Sequence, residues 1–372
     1  MNIYQTYFLL GKILALDVNP QPEEIIQVLQ KDDIPWEQFV ALADQHLILQ
    51  ALFPKIQDHK LDEFFPGEVL KHLKYIFDLT TTRNLEVIKQ TEKLTVVLSK
   101  EGISPLYMKG VGNILDGVYK YPGERILHDI DLLVPEEKFE DAAKILISDG
   151  YRSNYNYNPA QKNQSRHYPI LFKPGEPVYA ELHRMPVGRK YSKYFNTEMT
   201  MQAAKRITFY PGCLVMSDEH KIIHNFIHGQ MDHRSRIYAR EFMRNLYDLL
   251  LLSGRADPEK VLSDFGHFRR TSSGYLDITY DTFAITPTNR INPPLFFHAY
   301  RFRYFLNIRY PFVGMMSLLL IRLFSGYVVK PLRAITDKEL RMNLISKLGS
   351  RGWYKKQGRF YRKVFGFRER NG

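Results

Sequence analysis

The stretch His128-Asp129-Ile130-Asp131-Leu132-Leu133-Val134 fixes how this chain is read. In an extended strand successive side chains project to opposite faces. Asp129 and Asp131 then share one face while Ile130, Leu132 and Val134 point to the other, toward a core. Two carboxylates at this spacing converge on one point. Magnesium is a hard cation that takes oxygen ligands, and phosphoryl-transfer chemistry often sets two such ions on the attacking and leaving oxygens. An Asp-x-Asp strand can supply that clamp. The same spacing also occurs on solvated strand faces, where it carries no chemistry. As surface acids in a cleft, either aspartate is expected to tolerate replacement by Asn without loss of fold.

Outward from this strand the pattern is one of short apolar runs broken by Gly and Pro, which predicts strands alternating with helices. Ile103 to Met108 is expected to form a strand closed by Gly110, Val111 to Tyr119 a short helix, and Pro135 the end of the aspartate strand. Glu136 to Ser148 follows as a helix, with Phe139, Ala142, Ala143 and Leu146 on one face and Gly150 as its stop. Two further strands flank Pro174-Gly175. On the later one, Val178 to Arg184, the apolar Val178, Ala180 and Leu182 alternate with Tyr179, Glu181 and His183, so Glu181 offers a third carboxylate from a polar face. Arg125, just before the aspartates, reads either as a phosphate clamp or as a surface residue capping the loop. His183 reads as a partner that orients Glu181, a substrate contact, or a structural histidine.

Farther out, the spacing becomes helical. Residues 1–100 repeat apolar positions at three and four residues, through Phe39, Leu42, Leu47 and Leu49 and again through Val87, Leu94 and Leu98. After 217 helical spacing returns, with Ser217 as N-cap before Ile222, Ile223, Phe226 and Ile227.

The run Leu106-Tyr107-Met108-Lys109-Gly110, then Pro122-Gly123-Glu124-Arg125, the aspartate strand, and Glu181-Leu182-His183 together resemble the uncharacterised nucleotidyltransferase family of the DNA polymerase beta superfamily. The resemblance covers roughly 35–255. It implies an α+β fold, a small mixed sheet with flanking helices; apolar spacing and charge divide the chain into an N-terminal helical lobe 1–100, the core 101–215, a C-terminal helical domain 216–300 and a basic, aromatic-rich segment 301–372. It implies a nucleoside triphosphate as donor and Mg2+ as cofactor, two ions with Mn2+ as the alternative. Asp129, Asp131 and Glu181 would then be the catalytic metal ligands, and Lys109, Gly110, Arg125 and His183 would meet the nucleotide. The Gly-Ser pair common in the wider superfamily is replaced here by Lys109-Gly110, where Gly110 permits close approach of phosphates and Lys109 offers a positive charge.

At 372 residues and 44% hydrophobic, the chain can bury one large core or two to three smaller ones, which favours a multi-lobed globular protein over a disordered one. Its single cysteine, Cys213, excludes an internal disulfide, and a cytoplasmic setting is expected, with peripheral membrane attachment as its variant. The net charge of +12 is segregated: residues 301–372 hold 17 Lys/Arg against 3 Asp/Glu, leaving 35 against 37 in the rest. Any basic-surface function therefore belongs to the end of the chain. There, 351–370 interleaves Trp353, Tyr354, Phe360, Tyr361, Phe365 and Phe367 with Lys and Arg, which suits RNA or an anionic membrane surface, or a helix packing its aromatics inward.

His224 and His228, followed by Asp232 and His233, have the spacing of a metal site on a helix, but packing, or contact with the catalytic face, is the preferred reading; Asn225 stands where a zinc protease has Glu. Pro311 to Val329 is nearly continuous in apolar character, but Arg322 and the small residues Gly314, Ser317, Ser325 and Gly326 favour a buried or interfacial helix over a span. Two functions follow. One is an enzyme moving a nucleoside monophosphate to an unidentified acceptor with release of pyrophosphate; the other is a non-catalytic protein of the same fold that binds nucleotide or RNA as a regulator.

Overall fold

The structure is a computed structural model that describes residues 1–31, 33–153, 165–286, 295–355 and 358–359. Helix formation begins with a cap. The Asn2 side chain accepts from the Gln5 N–H and Gln5 accepts from the Asn2 N–H, so α1 (Ile3–Leu14) starts with its orphan donors satisfied. The lobe continues through α2 (Pro22–Lys31), α3 (Trp36–Gln45), α4 (Leu49–Asp58) and the long α5 (Gly67–Ser99). Phe39 and Leu42 lie on the buried side of α3, and Val87, Leu94 and Leu98 on that of α5. Leu47 departs from the helical expectation: it turns the chain between α3 and α4 with a left-handed φ of 59°.

The sheet contains β1 (Leu106–Tyr107), β2 (Asp129–Leu133), β3 (Arg152–Ser153), β4 (Leu171–Phe172), β5 (Tyr179–His183), β6 (Lys205–Arg206) and β7 (Leu214–Val215). Its seven strands run in the order β3-β4-β5-β2-β1-β7-β6. It is mixed: β2 pairs parallel with β5 and antiparallel with β1, while β1 pairs parallel with β7. The acid-bearing strand is thus central, and Ile130, Leu132, Leu133 and Val134 are all fully buried. Between the first strands, α6 (Lys109–Leu115) begins two residues earlier than the sequence suggests, and Gly110 opens it rather than closing a strand. The predicted helix after Pro135 starts as a 3-10 turn and becomes α7 (Phe139–Ser148), which packs on α5 and β5 and buries Phe139, Ala142, Ala143 and Leu146.

Short helices α8 (Arg189–Ser192) and α9 (Thr197–Gln202) precede α10 (Asp218–Phe226), capped by Ser217 accepting from the His220 N–H. The chain then runs through a π-helical turn at Ile227–Asp232 into α11 (Ser235–Tyr238), α12 (Met243–Ser253), α13 (Pro258–Asp264) and α14 (Arg269–Phe283). The fold is α+β, a mixed sheet with helical flanks.

By its contacts the chain forms two compact units, Met1–Arg236 with Glu241–Arg301, and Ile237–Arg240 with Phe302–Gly372. The first contains the sheet. The second is helical where described, taking in the end of α15 (Leu295–Arg309), then α16 (Pro311–Phe324), α17 (Lys330–Thr336) and α18 (Lys338–Leu348). The buried alternative for the apolar stretch at 311–329 is corrected, because an 18-residue window of the helix Pro311–Thr336 is only 11% buried. Of the aromatics expected to face a partner, Trp353 and Tyr354 are described; Phe360, Tyr361, Phe365 and Phe367 lie outside the described residues.

Candidate active site

Register brings the acids together. In the parallel pair β2–β5, Asp131 stands opposite Glu181 and Leu133 opposite His183, so strand alternation sets Asp129, Asp131, Glu181 and His183 on one face. Donor atoms of Asp131, Glu181 and His183 lie within 4.8 Å of one another. His183 Nε2 is 2.9 Å from Asp131 Oδ1 and 3.4 Å from Glu181 Oε2, and Lys109 Nζ donates to the same Asp131 oxygen at 2.6 Å. Asp131 is therefore no surface acid: it is 2% exposed and held by two partners. Asp129 is half-buried, and among the described residues its carboxylate has no hydrogen-bond partner.

The two aspartates are split electrostatically. Burial and then the charge of Asp131 push Asp129 up to about 6. Burial would raise Asp131 too, but the Lys109 ammonium and the His183 hydrogen bond hold it well below the usual carboxylate range. The hydrogen bond from His183 likewise lowers Glu181.

These acids open onto a cavity of about 310 Å³ whose wall includes Lys109, Arg125, Arg166, Lys221 and Arg244. Most of those cations are already matched. Arg125 is held by Asp248 at 3.2 Å and donates to the Ile126 carbonyl, Arg166 pairs with Asp232 at 3.0 Å, and Lys221 pairs with Asp116. Arg244 is different. Among the described residues it has no carboxylate partner, its Nε is enclosed without an acceptor, and burial followed by the charge of Arg125 lowers its pKa to about 10. A desolvated, unmatched guanidinium on a cavity wall is suited to an anion. Sequence reading missed Arg244, Arg166, Lys221 and Asp248; the one local signal was Arg244 and Asp248 at i and i+4 on α12.

Each predicted residue has a definite place. Asp129, Asp131, Glu181, Lys109, Gly110 and Arg125 all line the cavity. His183 is fully buried against the carboxylates and is not among the residues lining the cavity. Lys109 adopts a left-handed φ of 53°, a conformation uncommon outside glycine that concentrates at functional sites. At Gly110 a Cβ would meet the end of the Leu127 side chain at 2.6 Å, so a larger residue there would require Leu127 to shift.

That loop is fixed from outside the sheet. Asn84 of α5 donates to the carbonyls of Pro122 and Arg125, and Gln50 of α4 donates to that of Glu124. Lys55, 1% exposed, bridges Glu124 at 2.9 Å and Asp17 at 2.5 Å, while the Tyr247 hydroxyl donates to Glu124. A Cβ at Gly123 would strike Thr81 at 2.1 Å and the Phe77 ring at 2.8 Å, so only glycine allows the loop this approach to α5.

His224, His228 and His233 form another wall of the cavity. His224 Nε2 sits 3.0 Å from the Pro186 carbonyl and its ring stacks on His228 with centroids 5.6 Å apart. Burial and then the Lys109 charge lower His224 to about 3, and His228 and His233 are lowered as well. Among the described residues, metal-type donors converge at Asp131, Glu181 and His183 and not at these histidines.

A model of the uncharacterised nucleotidyltransferase family matches residues 32–267, a span that carries every residue of this site. No curated protein matches the chain.

Proposed function

The chain belongs to the uncharacterised nucleotidyltransferase family, and from that premise we propose that it transfers a nucleoside monophosphate from a nucleoside triphosphate to an acceptor nucleophile. The acceptor oxygen attacks the α-phosphorus, the bond to the β-phosphate oxygen breaks, and pyrophosphate leaves with the electron pair. The observation that carries this reading is the register Asp131–Glu181, with Asp129 on the same face, at the floor of a cavity rimmed by cations.

The donor set fits a hard divalent cation. Asp131 and Glu181 bring carboxylate oxygens within 4.8 Å of each other and of the His183 nitrogen, Asp129 stands on the same strand face, and Asp131 already accommodates a positive group, the Lys109 ammonium. Asp129, Asp131 and Glu181 would hold Mg2+, with Mn2+ as the alternative, and the bound ions would neutralise charge on the reacting phosphates and help activate the acceptor. His183 fixes the rotamers of Asp131 and Glu181 from behind. Arg244 offers a cation to the triphosphate tail, with Lys109 and Gly110 beside it; Arg125, balanced by Asp248, shapes the wall more than it adds charge. The buried thiol of Cys213 suits a cytoplasmic setting, and the basic stretch 351–372 is suited to an anionic partner.

A second reading, nucleotide binding without transfer, is favoured by one observation: Lys109 and His183 together balance Asp131 within the protein itself. The test is incubation of purified protein with each labelled triphosphate, Mg2+ and cell extract. Label in an extract component, lost in Asp129→Asn, supports transfer. Triphosphate binding with no labelled product supports the second reading, and full labelling by Asp129→Asn overturns the site.

A further inference from the structure

The second compact unit carries a helix that its own packing leaves uncovered. From Pro311 to Thr336 the backbone stays helical, α16 leading through the π-helical turn Ser325–Val329 into α17, and the stretch is long and apolar enough to cross a membrane. The core helix of a soluble protein encloses such a surface. Here Phe312, Leu320, Phe324, Tyr327, Leu332 and Ile335 are each at least 60% exposed. Scattered exposed apolar residues are ordinary; this many large ones on one continuous helix need a cover.

Charge and spacing say what covers it. Val313, Leu320 and Phe324 recur at seven and four residues and so share one face of α16. Arg322, two residues from both Leu320 and Phe324, lies on the opposite side. Across 302–336 there are five Lys/Arg and no Asp/Glu, and Lys330 and Arg333 are exposed beside Leu332. Tyr310 and Tyr327, both exposed, are of the type that settles at a membrane–water boundary. A second copy of this chain is a poor cover, because joining two such surfaces brings like charges together.

We propose that this helix binds an anionic lipid bilayer, lying in the headgroup region with the Leu320 and Phe324 face toward the acyl chains and its basic residues on lipid phosphates. An in-plane position suits Arg322, which at the centre of a span would be costly and here stays at the phosphate level. The lipid role belongs to unit two alone and stands apart from the chemistry of the cavity.

Full-length protein would be sedimented with vesicles of phosphatidylcholine alone and of phosphatidylcholine with about 30% phosphatidylglycerol, at low and high salt. Binding to the anionic vesicles, weakening with salt, is expected. Leu320→Glu with Phe324→Glu should lower it at least about tenfold with an unchanged circular dichroism spectrum, since both side chains are exposed. Lys330→Gln with Arg333→Gln leaves the apolar face intact and should lower it about fivefold per charge removed. The proposal is overturned if wild-type protein ignores anionic vesicles at low salt, or if the glutamate variant binds them as well as wild type does. It is equally overturned if the glutamate substitutions abolish self-association while no vesicle binding is seen.

Discussion

Asp129 and Asp131 have the same chemistry and the same strand face, yet their surroundings differ. Asp131 is enclosed with Lys109 and His183, whereas Asp129 reaches the cavity without a protein partner among the described residues. Asp129→Asn should abolish turnover, by about a thousandfold or more, with melting temperature unchanged. Asp131→Asn should abolish it too, but at a stability cost of about 3 kcal/mol, because it leaves Lys109 beside a neutral group. Equal stability of the two variants in urea denaturation would contradict this division. Arg244 makes the complementary case. Since its guanidinium lacks a carboxylate among the described residues, Arg244→Gln should weaken triphosphate binding by about tenfold without lowering stability, and calorimetry reads both. Unchanged affinity would mean that the arginine faces no phosphate.

At the scale of elements, the loop before β2 is held by helices outside the sheet. Lys55 of α4 binds Glu124 in the loop before β2, and Glu124 is fully buried at its side chain. Lys55→Met should therefore destabilise the protein by about 3 kcal/mol, because it strands a buried carboxylate. Turnover measured at a temperature where the variant is folded should fall as well, through displacement of β2. The α10 segment and the π-helical turn after it carry a second prediction. Burial depresses His224 to about 3 and lowers His228 and His233, so the unfolded chain takes up their protons first. The contribution of the buried His224 to stability is complete above about pH 6.5 and is lost as pH falls toward 3, at up to about 1.4 kcal/mol per unit, while His228 and the exposed His233 act in the same direction. His224→Gln should flatten that part of the denaturation profile, and a profile as steep as wild type would exclude His224 from it.

At the scale of the molecule, charge and function are divided between units. The cavity and all of the family match but residues 237–240 fall in the first unit, while the basic excess lies at the end of the chain. Removing residues 351–372 should weaken binding to an anionic matrix such as heparin and reduce its dependence on salt, while triphosphate affinity in the cavity stays as it was. If the shortened chain binds heparin as tightly as the full one at every salt concentration, the stretch has no recruiting role.

Much of the site could be read along the chain, because strand alternation is a local rule. Asp129 and Asp131 on one face, Glu181 and His183 on another strand's polar face, the cap at Ser217 and the stop at Gly150 all follow from a few neighbouring residues. The rule gives direction but not cover. It assigned His183 and Asp131 to a polar face, and only packing shows both to be buried, with the His167 ring 5.3 Å from His183 and Lys109 closing over Asp131. The partners that decide charge were equally out of reach: Asp248 for Arg125 lies 123 residues away, and nothing local says that Arg244 lacks such a partner. The same limit applied to the apolar run at 311–329, whose composition suits a core as well as a surface. Alternation and periodicity act between neighbours and so are written in the sequence, whereas burial and ion pairing join residues far apart and are decided only when the tertiary structure brings them together.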